Sequence, residues 1–135
     1  FGLPTALGVK FGIPDKAVVS ICGDGGFMFG VQELATAAQY GIGLVTIVFN
    51  NSAFGNVKRD QQTRYDGHFI GSELQNPDFV ALADSFGVDS YWVDRPEDLQ
   101  KSLKAALAKD VPALIEVKTD QASETSPWKF IVQRK

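Results

Sequence analysis

Two apolar runs, Ala17-Val18-Val19-Ser20-Ile21-Cys22 and Leu44-Val45-Thr46-Ile47-Val48-Phe49, most constrain how this chain can fold. Both are rich in branched residues and apolar at nearly every position, the pattern of strands in a parallel sheet covered on both faces. Each run ends on a polar mark, Gly23-Asp24-Gly25-Gly26 after the first and Asn50-Asn51 after the second. The interval between Asp24 and Asn51 accommodates one complete strand-helix-strand crossover, which brings both marks to the carboxyl edge of one sheet. Together they form a candidate metal and phosphate site.

The rest of the chain continues the alternation. Residues 4–11 suit a short helix that Gly12 can end, and residues 30–40 suit a second, with Val31, Leu34, Ala35 and Ala38 on one face and Gly41 as its stop. Residues 52–73 have no strong periodicity and are read as a short helix followed by a long functional or interface loop. Asn76-Pro77-Asp78 has the form of a helix start, with Asn76 as cap, Pro77 in the first helical position and Phe79, Val80, Leu82, Ala83 and Phe86 as the apolar face. A short strand at 89–93, a helix from Pro96 with the stripe Leu99, Leu103, Ala106 and Leu107, and a strand at 112–117 follow. The fold class is α/β: an open, mostly parallel sheet with helices on both faces. Trp128 and Phe130-Ile131-Val132, in an otherwise polar tail, are expected to pack onto the fold or a partner.

Charge and composition narrow the function classes. The 135 residues suit one domain, spanning 1–135, and a net charge of −3 without a basic stripe argues against a nucleic-acid surface. No apolar run approaches the ~20 residues of a membrane-spanning helix, and no signal-like segment opens the chain. The lone cysteine, Cys22, excludes an internal disulfide and is read as a buried packing thiol; a cytoplasmic protein is expected. The start at Phe1-Gly2-Leu3-Pro4, without methionine, suggests a fragment of a longer multidomain chain.

The polar marks have a definite chemistry. Gly25 and Gly26 permit backbone conformations that side chains obstruct, and their amides can face phosphate oxygens. The Asp24 carboxylate would repel a diphosphate unless a hard divalent cation lay between them, and Mg²⁺ accepts oxygen from both. Asn51 offers an amide oxygen and Ala53 a backbone carbonyl, which with Asp24, two diphosphate oxygens and a water would complete an octahedral shell. Asn50 is expected to orient the turn or contact the cofactor. Either mark alone would read as turn punctuation; their pairing favours a site. A dinucleotide fingerprint fits less well, because Gly23 and Gly25 match its first two glycines but the third falls at Met28.

Gly23-Asp24-Gly25, twenty-four residues, then Asn50-Asn51 resembles the diphosphate-binding signature of thiamine-diphosphate-dependent enzymes. The stretch from Cys22 through Phe27-Met28-Phe29-Gly30-Val31-Gln32-Glu33-Leu34, with Asn76-Pro77-Asp78-Phe79 and Ala81-Leu82-Ala83, is similar to the acetolactate synthase and 2-oxoacid decarboxylase group. The resemblance implies the carboxyl-terminal, thiamine-diphosphate-binding fold. It implies Asp24 and Asn51 as side-chain ligands of Mg²⁺, Ala53 as a carbonyl ligand, and Gly23, Gly25 and Gly26 beside the diphosphate. It further implies a 2-oxoacid or related carbonyl substrate and a full-length homodimer or homotetramer. A partner subunit's pyrimidine-binding domain would supply the activating glutamate, so the isolated chain is expected to show no turnover. The cofactor carries the difficult electronic step, which makes Asp24 an anchor rather than a base.

Substrate-shaping residues are less defined, and no catalytic residue is assigned. Asn56, Lys58 and Arg59 could meet an oxoacid carboxylate; typical acetolactate synthases carry methionine at the place of Asn56 and tryptophan at that of Asp60. His68 is read as exposed or structural, Phe27, Met28 and Phe29 as support for the turn or core, and Glu33 as a surface or interface residue. A metal-dependent nucleotide or phosphate-binding module, or a structural domain without turnover, stays open.

Overall fold

The computed structural model describes residues 1–123. Among these, parallel strands β1 (Val18–Gly23), β2 (Leu44–Asn50), β3 (Asp89–Val93) and β4 (Ala113–Lys118) form one sheet in the order β1-β2-β4-β3. Parallel neighbours require crossovers, which are α2 (Asp24–Met28) with α3 (Glu33–Tyr40), then α4 (Gly55–Arg64) with α5 (Phe79–Ser85), and finally α6 (Pro96–Lys109). An opening helix, α1 (Gly2–Gly12), packs on β1 and β2. The register sets Cys22 beside Val48 and Val48 beside Glu116, so residues alternate between the two faces of the sheet along each strand.

One core lies under α1, α3 and α5, where Leu3, Phe27, Leu34, Val48, Phe79 and Leu114 are closed from water. Phe27 and Phe79 meet edge to face, 5.5 Å between centroids at 82°. The other core lies under α6, whose predicted stripe packs on Val45, Ile47, Ile115 and Val117. The expected open parallel sheet with helices on both faces is therefore present.

Several local expectations are corrected. β1 is not covered on both faces: it is an edge strand, and because α6 packs over β2, β3 and β4, Ile21 on that side is 68% exposed. The helix expected from residue 30 begins only at Glu33, as α3, and a separate short helix, α2, precedes it; tight turns at Gly30 and Glu33 lie between the two. Gly30 lets this segment approach α1 closely, since a Cβ there would stand 3.0 Å from the Pro4 ring. Ala37, not Ala35, joins Leu34 on the buried face. Asn76 is not a cap; Asp78 caps α5 by accepting from the Ala81 amide at 2.9 Å, and Pro77 precedes the helix. Gly41, at φ +59°, ends α3 as expected.

Lys10, unremarked in the sequence, is buried. Its ammonium donates to the carbonyls of Pro14 (2.7 Å) and Lys16 (3.0 Å) and to Asp110 (2.9 Å), tying α1 to the turns before β1 and β4. The tail residues Trp128 and Phe130 to Val132 lie outside the described residues.

Candidate metal and diphosphate site

Gly23 leaves β1 in an extended conformation and Asp24 begins α2, so the carboxylate stands where strand becomes helix. Asp24 is 2% exposed. Its Oδ1 accepts from the Gly25 amide at 2.9 Å, and its Oδ2 accepts from the Ser52 amide at 2.8 Å and Asn76 Nδ2 at 2.6 Å. All three donors are neutral. A carboxylate withdrawn from water without a cation beside it is costly, so this position favours a bound positive charge.

The second turn is built against the first. Asn50, Asn51 and Ala53 are buried, and Ser52 holds a left-handed φ of +59°. Asn51 Oδ1 accepts from the Ala53 amide at 3.0 Å, closing a local turn. Asn50 bridges outward: Oδ1 accepts from the Ser52 amide (3.1 Å) and Asn76 Nδ2 (2.9 Å), while Nδ2 donates to Glu116 at 2.6 Å. This is the turn-orienting role expected of Asn50. Ala53 pairs antiparallel with Glu73 through bonds made by its neighbours, Phe54 N–H to Ser72 O and Leu74 N–H to Ser52 O. The Ala53 carbonyl is not used in that pairing.

The turn glycines differ in their surroundings. Gly25 is buried, and a Cβ there would meet the Phe54 ring at 2.3 Å; Gly23 and Gly26 are exposed, with open space where a side chain would stand. Beside Asn51 and Ala53 opens a cleft of about 210 Å³ lined by Gly55, Lys58, Arg59, Phe69 and Gln121. Within it Lys58 donates to Glu73 and Gln121, and hydrogen bonds from Lys58 and from Gln121 hold the Glu73 carboxyl below the usual carboxylate range. Arg59 donates to Asn56 at 2.8 Å.

Other predicted residues stand apart from the polar turns. Cys22 is buried 3.3 Å from the Ser20 hydroxyl, as a packing thiol. His68 is exposed, with Nδ1 2.8 Å from the Tyr65 carbonyl. Phe27 is core, whereas Met28 and Phe29 are exposed; Glu33 accepts from the Thr36 hydroxyl. Two contributors were missed. In sequence Asn76 has the look of a cap and Glu116 that of a strand position, although an acid within Leu114-Ile115-Glu116-Val117 signals a buried partner.

Among the described residues no three His, Cys, Asp or Glu side chains cluster to hold a metal. A cation here would rest on one carboxylate with neutral amide and carbonyl oxygens, a donor set suited to Mg²⁺ or Ca²⁺ and not to thiolate- or imidazole-seeking metals. The residues present thus fit the cation. A parallel α/β sheet with such a buried acid and two glycine- and asparagine-rich turns at its carboxyl edge defines a class: domains that bind ligands where strands end. Within that class, the chain belongs to the family of thiamine pyrophosphate enzymes, as their C-terminal TPP-binding domain, whose family model matches residues 1–117.

Known relatives agree. The acetolactate synthase large subunit of Parasynechococcus marenigrum (strain WH8102) is 38% identical over 129 residues, covering 94% of this chain and 21% of that protein. The mitochondrial acetolactate synthase catalytic subunit of Aspergillus candidus is 39% identical over 127 residues, covering 94% and 18%. Among solved structures, the thiamine diphosphate-dependent 4-hydroxybenzoylformate decarboxylase of Rhodococcus jostii RHA1 superposes with a TM-score of 0.83 at 39% identity, covering 88% of this chain and 23% of that one. The chain spans about a fifth of the length of the curated relatives it matches.

Proposed function

We propose that residues 1–135 are the diphosphate-holding domain of a longer enzyme that uses thiamine diphosphate and Mg²⁺ to decarboxylate or join 2-oxoacids. The observation that carries this reading is Asp24, a carboxylate buried among neutral donors and bonded to the turn that bears Asn51 and Ala53. The Asp24 and Asn51 side chains and the Ala53 carbonyl would hold the cation, and Gly23 and Gly26 would leave room for the diphosphate, while Gly25, expected to line it, instead makes room for the Phe54 ring and gives its amide to Asp24. When bound, the cofactor supplies the nucleophilic carbon that adds to the substrate carbonyl and the electron sink for loss of CO₂. Asp24 anchors and does not exchange protons, because its oxygens are committed to the turns and to the cation.

The parent would act as a homodimer or homotetramer in the cytoplasm, with the pyrimidine-binding domain of a partner subunit completing each site. Names of the relatives support both outcomes, since acetolactate synthases are matched beside a decarboxylase. Calorimetry on the full-length parent tests the reading. Thiamine diphosphate should bind only with a divalent cation and in preference to nucleotides, and Asp24→Asn should weaken that binding about a hundredfold. Unchanged cation-dependent affinity in Asp24→Asn, or preference for a nucleotide, would overturn it.

A further inference from the structure

We infer that Asn76 determines how Asp24 can meet a cation, leaving one oxygen position open and thereby favouring Mg²⁺ over Ca²⁺. The inference rests on the reading of Asp24 as a cation ligand. A carboxylate has about four lone-pair positions, two on each oxygen. On Oδ2 both are taken, one by the Ser52 amide at 2.8 Å and one by Asn76 Nδ2 at 2.6 Å. On Oδ1 the Gly25 amide takes one at 2.9 Å, and among the described residues nothing takes the other. Asp24 can therefore engage an ion through Oδ1 alone. Mg²⁺ suits a single carboxylate oxygen in a small octahedral shell, whereas Ca²⁺ readily takes both oxygens of a carboxylate in a larger, more flexible one.

Of the three donors, two are main-chain amides fixed by the turns, and Asn76 is the only side chain. Its Nδ2 carries two N–H bonds, and both are used: the second reaches Asn50 Oδ1 at 2.9 Å, and Asn50 is itself anchored on Glu116 at 2.6 Å. Pro77 restricts Asn76 to extended backbone. Just beyond, Phe79 is fully buried against Phe27, a residue of the same short helix that begins with Asp24. The donor is thus held from both ends of its loop. Asn76 is a positioning residue, acting through Asp24 and not on the cofactor.

The test uses the full-length parent, with thiamine diphosphate affinity measured by calorimetry in Mg²⁺ and in Ca²⁺. Asn76→Ala, and the isosteric Asn76→Asp should the first fail to fold, are expected to lower the Mg²⁺-to-Ca²⁺ affinity ratio by about tenfold. Infrared difference spectra provide a signature independent of activity: wild type loaded with Mg²⁺ should show the wide carboxylate band separation of single-oxygen coordination, assigned by its loss in Asp24→Asn. An unchanged ratio in either folded variant, or the narrow separation of two-oxygen coordination in wild type, would overturn the inference. Failure of the underlying reading looks different, since Asp24→Asn would then keep its cation-dependent binding and lose no band.

Discussion

Glu116 places a carboxylate in a strand that is otherwise apolar and buried, and the acceptor it presents to Asn50 is what allows that asparagine to face the polar turns. Replacing it by leucine leaves Asn50 Nδ2 buried without its acceptor, at a cost of about 1–3 kcal/mol. Glu116→Gln retains an acceptor oxygen and should cost less, so urea unfolding of the two variants separates the bond from simple packing. The same pair shows what a sequence discloses at this scale. Asp24 and Asn51 were legible because each interrupts an apolar run, and a polar residue there must find a partner. Asn76 and Glu116 were not, because their partners lie 52 and 66 residues away and only the folded sheet edge brings them together.

Among the elements, α6 was the most legible, because Pro96 in its first turn and a regular apolar stripe specify start, length and buried face together. The edge position of β1 is one that periodicity cannot reveal: an all-apolar strand at an edge looks like one in the centre until the covering helices are known. The start of α6 also carries a pH-sensitive contact. Hydrogen bonding by Arg95, aided by its charge and by Lys101, holds the Asp98 carboxyl below its ordinary 3.8. Because the folded value is the lower one, this contribution is present above the ordinary value and lost as pH falls through the depressed one. Asp98→Asn should therefore lower the melting temperature slightly at neutral and alkaline pH and converge on wild type in acid, which flattens the acid-side decline. A variant with the wild-type acid slope would show that the contact adds nothing, as many exposed pairs do.

For the molecule as a whole, the bare outer side of β1 matters most. Among the described residues β1 pairs on one side only, and Val19, Ile21 and Phe49 form an exposed apolar strip next to its open edge. Such an edge invites pairing between copies. The isolated 135-residue chain should accordingly associate as its concentration rises in sedimentation experiments, and Ile21→Lys should shift it toward monomer. Equal association of the two would locate the contact elsewhere.

Strand order has a last consequence. β4 is the last strand among the described residues yet lies between β2 and β3, so it is the wedge that unites two otherwise separate halves. A nascent chain that stops short of Ala113 leaves β3 without a neighbour and Asn50 without its distant acid. Assembly of the binding edge is therefore deferred until nearly the whole stretch has left the ribosome, and truncated products are denied a finished pocket.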